Sequence, residues 1–241
     1  MAIAERALIK QDQLKTFVEQ LKKTAGENLV SVVLYGSAVS QDFHHGYSDL
    51  NLLCVVKELS AASMQALAHA LKGWASATPL FFTRSELAAA METFPIEMMD
   101  IRDQHHLLAG ENLFRAGLKI SPERHKAQLE HELQSKLIIL RQHYMTSLND
   151  AIKIRGLMLE SISSFIVLFR HTLIEQGDAA PRGKRETVEL LARKSGFDPG
   201  PFRQLLDVRE GKSTPESLDA HAVFAGYVQT IESVATTVRT P

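Results

Sequence analysis

The residues best suited to chemistry stand between positions 30 and 56, in the string VSVVLYGSAVSQDFHHGYSDLNLLCVV. Gly36 and Ser37 follow an apolar, β-branched run, and Asp49 and Asn51 open a second apolar run. Backbone amides at a glycine-serine turn can hold an anion, and carboxylate and amide oxygens are ligands for a hard cation. The pattern therefore predicts a site for a nucleotide and magnesium.

The alternation of side chains along a strand decides which polar groups share a face. In the second run it places Asp49 and Asn51 on one face together with Leu53 and Val55. The other face carries the alternate residues Leu50, Leu52, Cys54 and Val56. A carboxylate and an amide are therefore expected to point the same way.

Helices and strands alternate around this stretch. The sequence predicts a helix over 5–23, strands over 30–35 and 49–56, a helix over 59–75 and a strand over 79–82. A capping box at 83–86 predicts a helix to about residue 91. The short apolar string FPIEMMDI, residues 94–101, is predicted as a strand with Glu97 on the face opposite Met98 and Asp100. This order indicates a small α/β domain with a mixed sheet.

The composition changes near Ser121, after which helical patterns dominate. Ser121, Pro122 and Glu123 supply an N-cap, a first helical position and a first-turn acid. Apolar residues then recur at helical spacing, beginning with Leu129, Leu133, Leu137, Leu140 and Tyr144. Further helices are predicted at 150–176, 186–194 and 201–209 and after a capping box at 213–216. We expect an α/β domain at 1–118 and a helical bundle at 119–241.

Composition excludes several classes of protein. The chain has 241 residues, of which 45% are hydrophobic, and a formal net charge of -1. Such a balance argues against an extended nucleic-acid surface. The sequence has no signal-peptide pattern at its start and no apolar stretch approaching about 18 residues, so we expect a cytoplasmic protein that does not enter a membrane. The one cysteine, Cys54, is expected to be a small buried hydrophobe.

The string LYGS, followed by eleven residues and then DLN, resembles the nucleotidyltransferase superfamily that shares its fold with DNA polymerase beta. In that family a Gly-Ser or Gly-Gly pair precedes an Asp-hydrophobic-Asp triplet on a strand. FPIEMMDI is similar to the family's third acidic strand. The helical half is similar to the bundle behind the nucleotidyltransferase domain of antibiotic-modifying enzymes of the kanamycin type. The resemblance implies an α/β (α+β) nucleotidyltransferase domain followed by an all-α bundle.

The resemblance also implies roles for individual residues. Gly36 and Ser37 would contact the nucleoside triphosphate, and Asp49 would be a catalytic magnesium ligand. Asn51 takes the place of a second aspartate that bridges two metals, and Glu97 would be the third carboxylate, as a metal ligand or as general base. The implied reaction is in-line attack of a hydroxyl on the α-phosphate with release of pyrophosphate, assisted by two magnesium ions.

Asn51 is a departure from the family pattern, and it leaves two function classes open. Its carboxamide offers one neutral oxygen instead of two charged ones. The chain is either a transferase acting on a hydroxyl of a small molecule or protein, or a degenerate relative that binds nucleotide or a partner as a sensor. A homodimer is consistent with the resemblance, because the antibiotic-modifying relatives complete their active sites across an interface.

Some alternatives for individual residues also stay open. Asp100 and Asp103 are alternatives to Glu97, because a strand register error of one residue would exchange the two faces. His44 and His45 either bind metal or substrate or are solvated loop residues.

Overall fold

A computed structural model of the chain describes residues 3–39, 50–116, 119–181 and 183–239, with side chains except those of residues 3–11, 37, 115 and 116. Its contacts divide the chain into two compact units, Met1–Arg124 and His125–Pro241. We call the first the sheet unit and the second the helical unit.

The sheet unit consists of helices packed on both faces of a small sheet. Its elements, in chain order, are α1 Ile3–Ala25, β1 Leu29–Tyr35, β2 Asn51–Val56, α2 Ala61–Ala70, β3 Leu80–Thr83, α3 Arg84–Thr93, α4 Pro95–Asp103 and β4 His105–Gly110. The strand order is β3-β2-β1-β4. Strand β1 is antiparallel to both β2 and β4, and β2 is parallel to β3. The predicted mixed sheet is confirmed.

The two faces of β2 belong to two different buried clusters. Leu50 and the alternate strand residues Leu52, Cys54 and Val56 pack with residues of α1 and α2. Leu53 and Val55 pack instead with residues of α3 and α4. The alternation predicted for residues 50–56 is therefore confirmed, and Asp49 lies outside the described residues. Cys54 is fully buried, as predicted, and burial raises the pKa of its thiol to about 12.

The predicted capping box starts α3 as expected. The Thr83 hydroxyl accepts a hydrogen bond from the Glu86 backbone N–H at 3.2 Å. The Glu86 carboxylate in turn accepts the Thr83 backbone N–H at 2.7 Å. Because both groups would otherwise lack partners at a helix start, the local sequence fixes this boundary.

The segment predicted as a third acidic strand is the helix α4, so that prediction is wrong. Pro95 stands in the first turn, where a helix does not need its missing N–H. Pro95, Met98 and Ile101 are buried at intervals of three residues, which is a helical repeat. A short run that is apolar at most positions fits both the helical and the strand period, so periodicity alone does not distinguish a helix from a strand here. The strand that pairs with β1 is instead β4, the string HHLLAG, which contains no acid.

In the helical unit, long helices enclose an aromatic and aliphatic core. The elements are α5 Pro122–Thr146, α6 Ala151–Glu175, α7 Lys184–Ser195, α8 Gly200–Arg209 and α9 Ala220–Arg239. Buried side chains recur on α5 and α6 as predicted, including Leu129, Leu133, Leu137, Leu140, Ile154, Met158, Ile162, Phe165 and Phe169. Within the described residues, no helix combines the length and the apolar character that crossing a membrane requires.

The last helix begins later than the sequence predicts. Pro215–Ser217 form a short 3-10 turn without a side-chain cap, and α9 starts at Ala220. Asp219 accepts the backbone N–H groups of His221 and Ala222 at 3.2 and 3.1 Å. Asp219 is therefore the cap of this helix, and the capping box predicted at 213–216 is wrong as its start.

Candidate functional site

The turn after β1 and the start of β2 meet at one end of the sheet. Tyr35, the last residue of β1, is paired with Asn51 on β2 and with His105 on β4. Gly36 follows with a φ of 76°, in the left-handed region that favours glycine. A Cβ atom at Gly36 would lie 3.0 Å from Nδ2 of Asn51. The backbone conformation therefore favours glycine at this position, and the Asn51 carboxamide lies close beside it.

The Asn51 side chain is partly buried at the first position of β2. Strand alternation puts it on the same face as Leu53 and Val55, the face covered by α3 and α4. Among the described residues, its carboxamide has no hydrogen-bond partner. An asparagine side chain can donate two hydrogen bonds and accept two.

Several predicted site residues are not placed by the structure. Asp49 and the side chain of Ser37 lie outside the described residues, as do His44 and His45. The backbone of Ser37 is described and forms part of the 3-10 turn Gly36–Val39. The roles expected for Ser37 and Asp49 remain predictions.

Glu97 lies in the first turn of α4 with an exposed side chain, and not on a strand. Asp100 follows three residues later on the same side of the helix. Met98 and Ile101 from α4 belong to the buried cluster that contains Leu53. Helix α4 therefore covers the sheet face that carries Asn51. An acid in the first turn also stabilises a helix by its charge, so the catalytic role of Glu97 stays a prediction.

His105 stands at this end of the sheet, and the sequence did not single it out. Its Nδ1 lies 3.0 Å from the backbone oxygen of Arg102, and its Nε2 lies 3.2 Å from Oδ1 of Asn112. The ring also packs against Phe114, with ring centroids 4.9 Å apart. His105 thus fixes the end of α4 to the segment after β4. The only local signal was a short apolar run, HHLLAG, closed by a glycine.

The described residues include oxygen atoms of the kind that magnesium binds. They are the carboxamide oxygen of Asn51 and the carboxylates of Glu97 and Asp100 on α4. Magnesium prefers such oxygen donors, so the donor chemistry fits. Within the part of the chain that the structure describes, no three His, Cys, Asp or Glu side chains are grouped to hold a metal ion. The magnesium-binding roles expected for Asp49, Asn51 and Glu97 therefore remain predictions.

Comparison with solved structures decides the fold. The chain is similar to spectinomycin adenyltransferase AAD(9) from Enterococcus faecialis, solved with ATP and spectinomycin, with a TM-score of 0.60. The match covers 95% of this chain and 99% of the other, at 15% sequence identity. The chain has a nucleotidyltransferase fold.

The nucleotidyltransferase fold confirms the architecture implied by the resemblance. The similarity covers both the small mixed sheet with its helices and the helical region that follows it. No protein-family model and no curated protein matches the sequence. At this level of identity the likeness is one of fold, and residue roles must come from the geometry of the chain itself.

Proposed function

We propose that this chain is an enzyme that transfers a nucleoside monophosphate from a nucleoside triphosphate to a hydroxyl group, with release of pyrophosphate. The observation that carries the proposal is the close approach of the Asn51 side chain to Gly36 at the end of the sheet, within a nucleotidyltransferase fold. A glycine turn beside a carboxamide that has no hydrogen-bond partner among the described residues is suited to a phosphate group and its counterion.

Each site residue has a role in this proposal. Gly36 lets phosphate oxygens approach the backbone, and Ser37 adds its hydroxyl and amide. Asp49, Asn51 and Glu97 are the proposed magnesium ligands, and Glu97 is also the proposed base for the proton of the acceptor hydroxyl. Magnesium, when bound, would neutralise charge on the phosphates.

The similar structure supports the proposed donor and acceptor. It was solved with ATP and with spectinomycin, which is a small molecule. We therefore propose ATP as the first donor to test and a small-molecule hydroxyl as the acceptor, with a protein hydroxyl as the second acceptor class. A homodimer and a cytoplasmic location belong to the same proposal. Light scattering on the purified chain and cell fractionation test them.

The experiment that tests the function has a binding step and a turnover step. Thermal unfolding is measured with each of the four nucleoside triphosphates, with magnesium or manganese, because a ligand at about 100 times its dissociation constant adds roughly 2.7 kcal/mol. Pyrophosphate release is then measured with a library of hydroxyl acceptors. We expect stabilisation by at least one nucleotide and turnover with at least one acceptor, and no turnover in Asp49→Asn. Absence of stabilisation by every nucleotide would refute the proposal.

A degenerate, nucleotide-binding sensor is the second candidate, and Asn51 is the observation that favours it. The neutral side chain weakens a two-metal site because it has one ligand oxygen in place of two. A sensor would be stabilised by nucleotide yet release no pyrophosphate with any acceptor. In either case, Asn51→Asp is expected to strengthen nucleotide binding in the presence of magnesium, which isothermal titration can measure.

A further inference from the structure

We draw no further inference here: the strongest candidate, the exposed apolar surface that Met145, Leu148 and Ile152 form around the turn between α5 and α6, carries none because nothing in the part of the chain that the structure describes shows what covers it.

Discussion

A buried histidine pair in the helical unit and the Asn51 side chain in the sheet unit differ in what they contact. In the helical unit, His125 and His171 are 1% and 0% exposed, and Nε2 of the first lies 2.7 Å from Nδ1 of the second. Nδ1 of His125 contacts the carboxylate of Glu175. In the sheet unit, the partly buried carboxamide of Asn51 has no such partner among the described residues. Polar groups that satisfy one another stabilise a core, whereas an unengaged donor beside a glycine turn is available to a ligand.

This difference helps to distinguish polar residues that stabilise the fold from polar residues that could bind a ligand. A buried histidine pair beside a carboxylate has the composition of a catalytic relay, yet both rings are enclosed by α5, α6 and their neighbours. A substrate cannot reach a side chain without exposed surface, so we assign His125 and His171 to the stability of the helical unit. The residues at the Gly36 end of the sheet remain the proposed ligand-binding site.

The largest effect is expected for catalysis at α4. Glu97→Gln should lower kcat by about 10²- to 10⁴-fold, because a general base or metal-ligand carboxylate would be lost. Stability should change by less than about 0.5 kcal/mol, because the side chain is exposed. Initial rates of pyrophosphate release measure the first quantity and urea unfolding the second. Asp100→Asn is the companion variant, and a loss of rate in it alone would move the third carboxylate from Glu97 to Asp100.

The next effect is expected in the core of the helical unit. His125→Ala should lower the free energy of unfolding by about 3 kcal/mol, because His171 and Glu175 each lose a partner and a cavity is left. Urea unfolding measures this loss. The control is His131→Ala, at an exposed position of the same helix, which should change stability by less than about 0.5 kcal/mol. If His125→Ala is as stable as the unmodified chain but has reduced turnover, His125 contributes to catalysis and not to the stability of the helical unit.

A smaller effect on stability is expected at Gly36, where the response to ATP distinguishes the variant from its control. Gly36→Ala should cost about 1–2 kcal/mol, because alanine is disfavoured in the left-handed region. Gly73 has a φ of 83°, and among the described residues beyond its chain neighbours no atom lies within 4 Å of the place that a Cβ would occupy, so Gly73→Ala introduces the same backbone strain away from Asn51. Thermal unfolding with and without ATP compares the two. Only Gly36→Ala should lose stabilisation by ATP, and equal responses of the two variants would remove Gly36 from the site.

Local patterns in the sequence predicted the parts of the fold that local physics determines. The capping box at Thr83 and Glu86 has its expected hydrogen bonds, and the alternation along β2 separates two buried clusters. The turn at Gly36 was also identified, because a glycine after a β-branched strand is a local signal. In each case, neighbouring residues contain the information that selects the structure.

The features that the sequence missed depend on partners far along the chain. The segment 94–101 is apolar at most positions, so its periodicity fits either structure, and packing against the sheet helps to select a helix there. The string HHLLAG forms a strand because it pairs with one edge of β1. His125 and Glu175 are 50 residues apart, so no local sequence pattern predicts their contact. Tertiary contacts of this kind override weak local preferences.

The smallest effect concerns charges that the helical unit pairs at its surface. Arg185 donates to both carboxylate oxygens of Glu210, at 2.9 and 3.1 Å from Nε, and also contacts Asp207. The hydrogen bonds from Arg185, together with Lys212, lower the pKa of Glu210 to about 2. A carboxylate whose pKa is lower in the folded than in the unfolded chain stabilises the fold at pH values above the unfolded pKa. That contribution is lost as the pH falls from about 4.5 towards 2.

Arg185→Met should therefore lower stability by about 1 kcal/mol at neutral pH, a small value because the pair is partly exposed. The difference from the unmodified chain should stay constant down to about pH 5 and shrink below it, as Glu210 becomes protonated in both proteins. Thermal unfolding between neutral and acid pH measures the difference. Lys153→Met is the control, because the Lys153 side chain is 71% exposed where it pairs with Asp150. A difference for Arg185→Met that persists unchanged into acid would show that its packing, and not its pairing with Glu210, stabilises the helical unit.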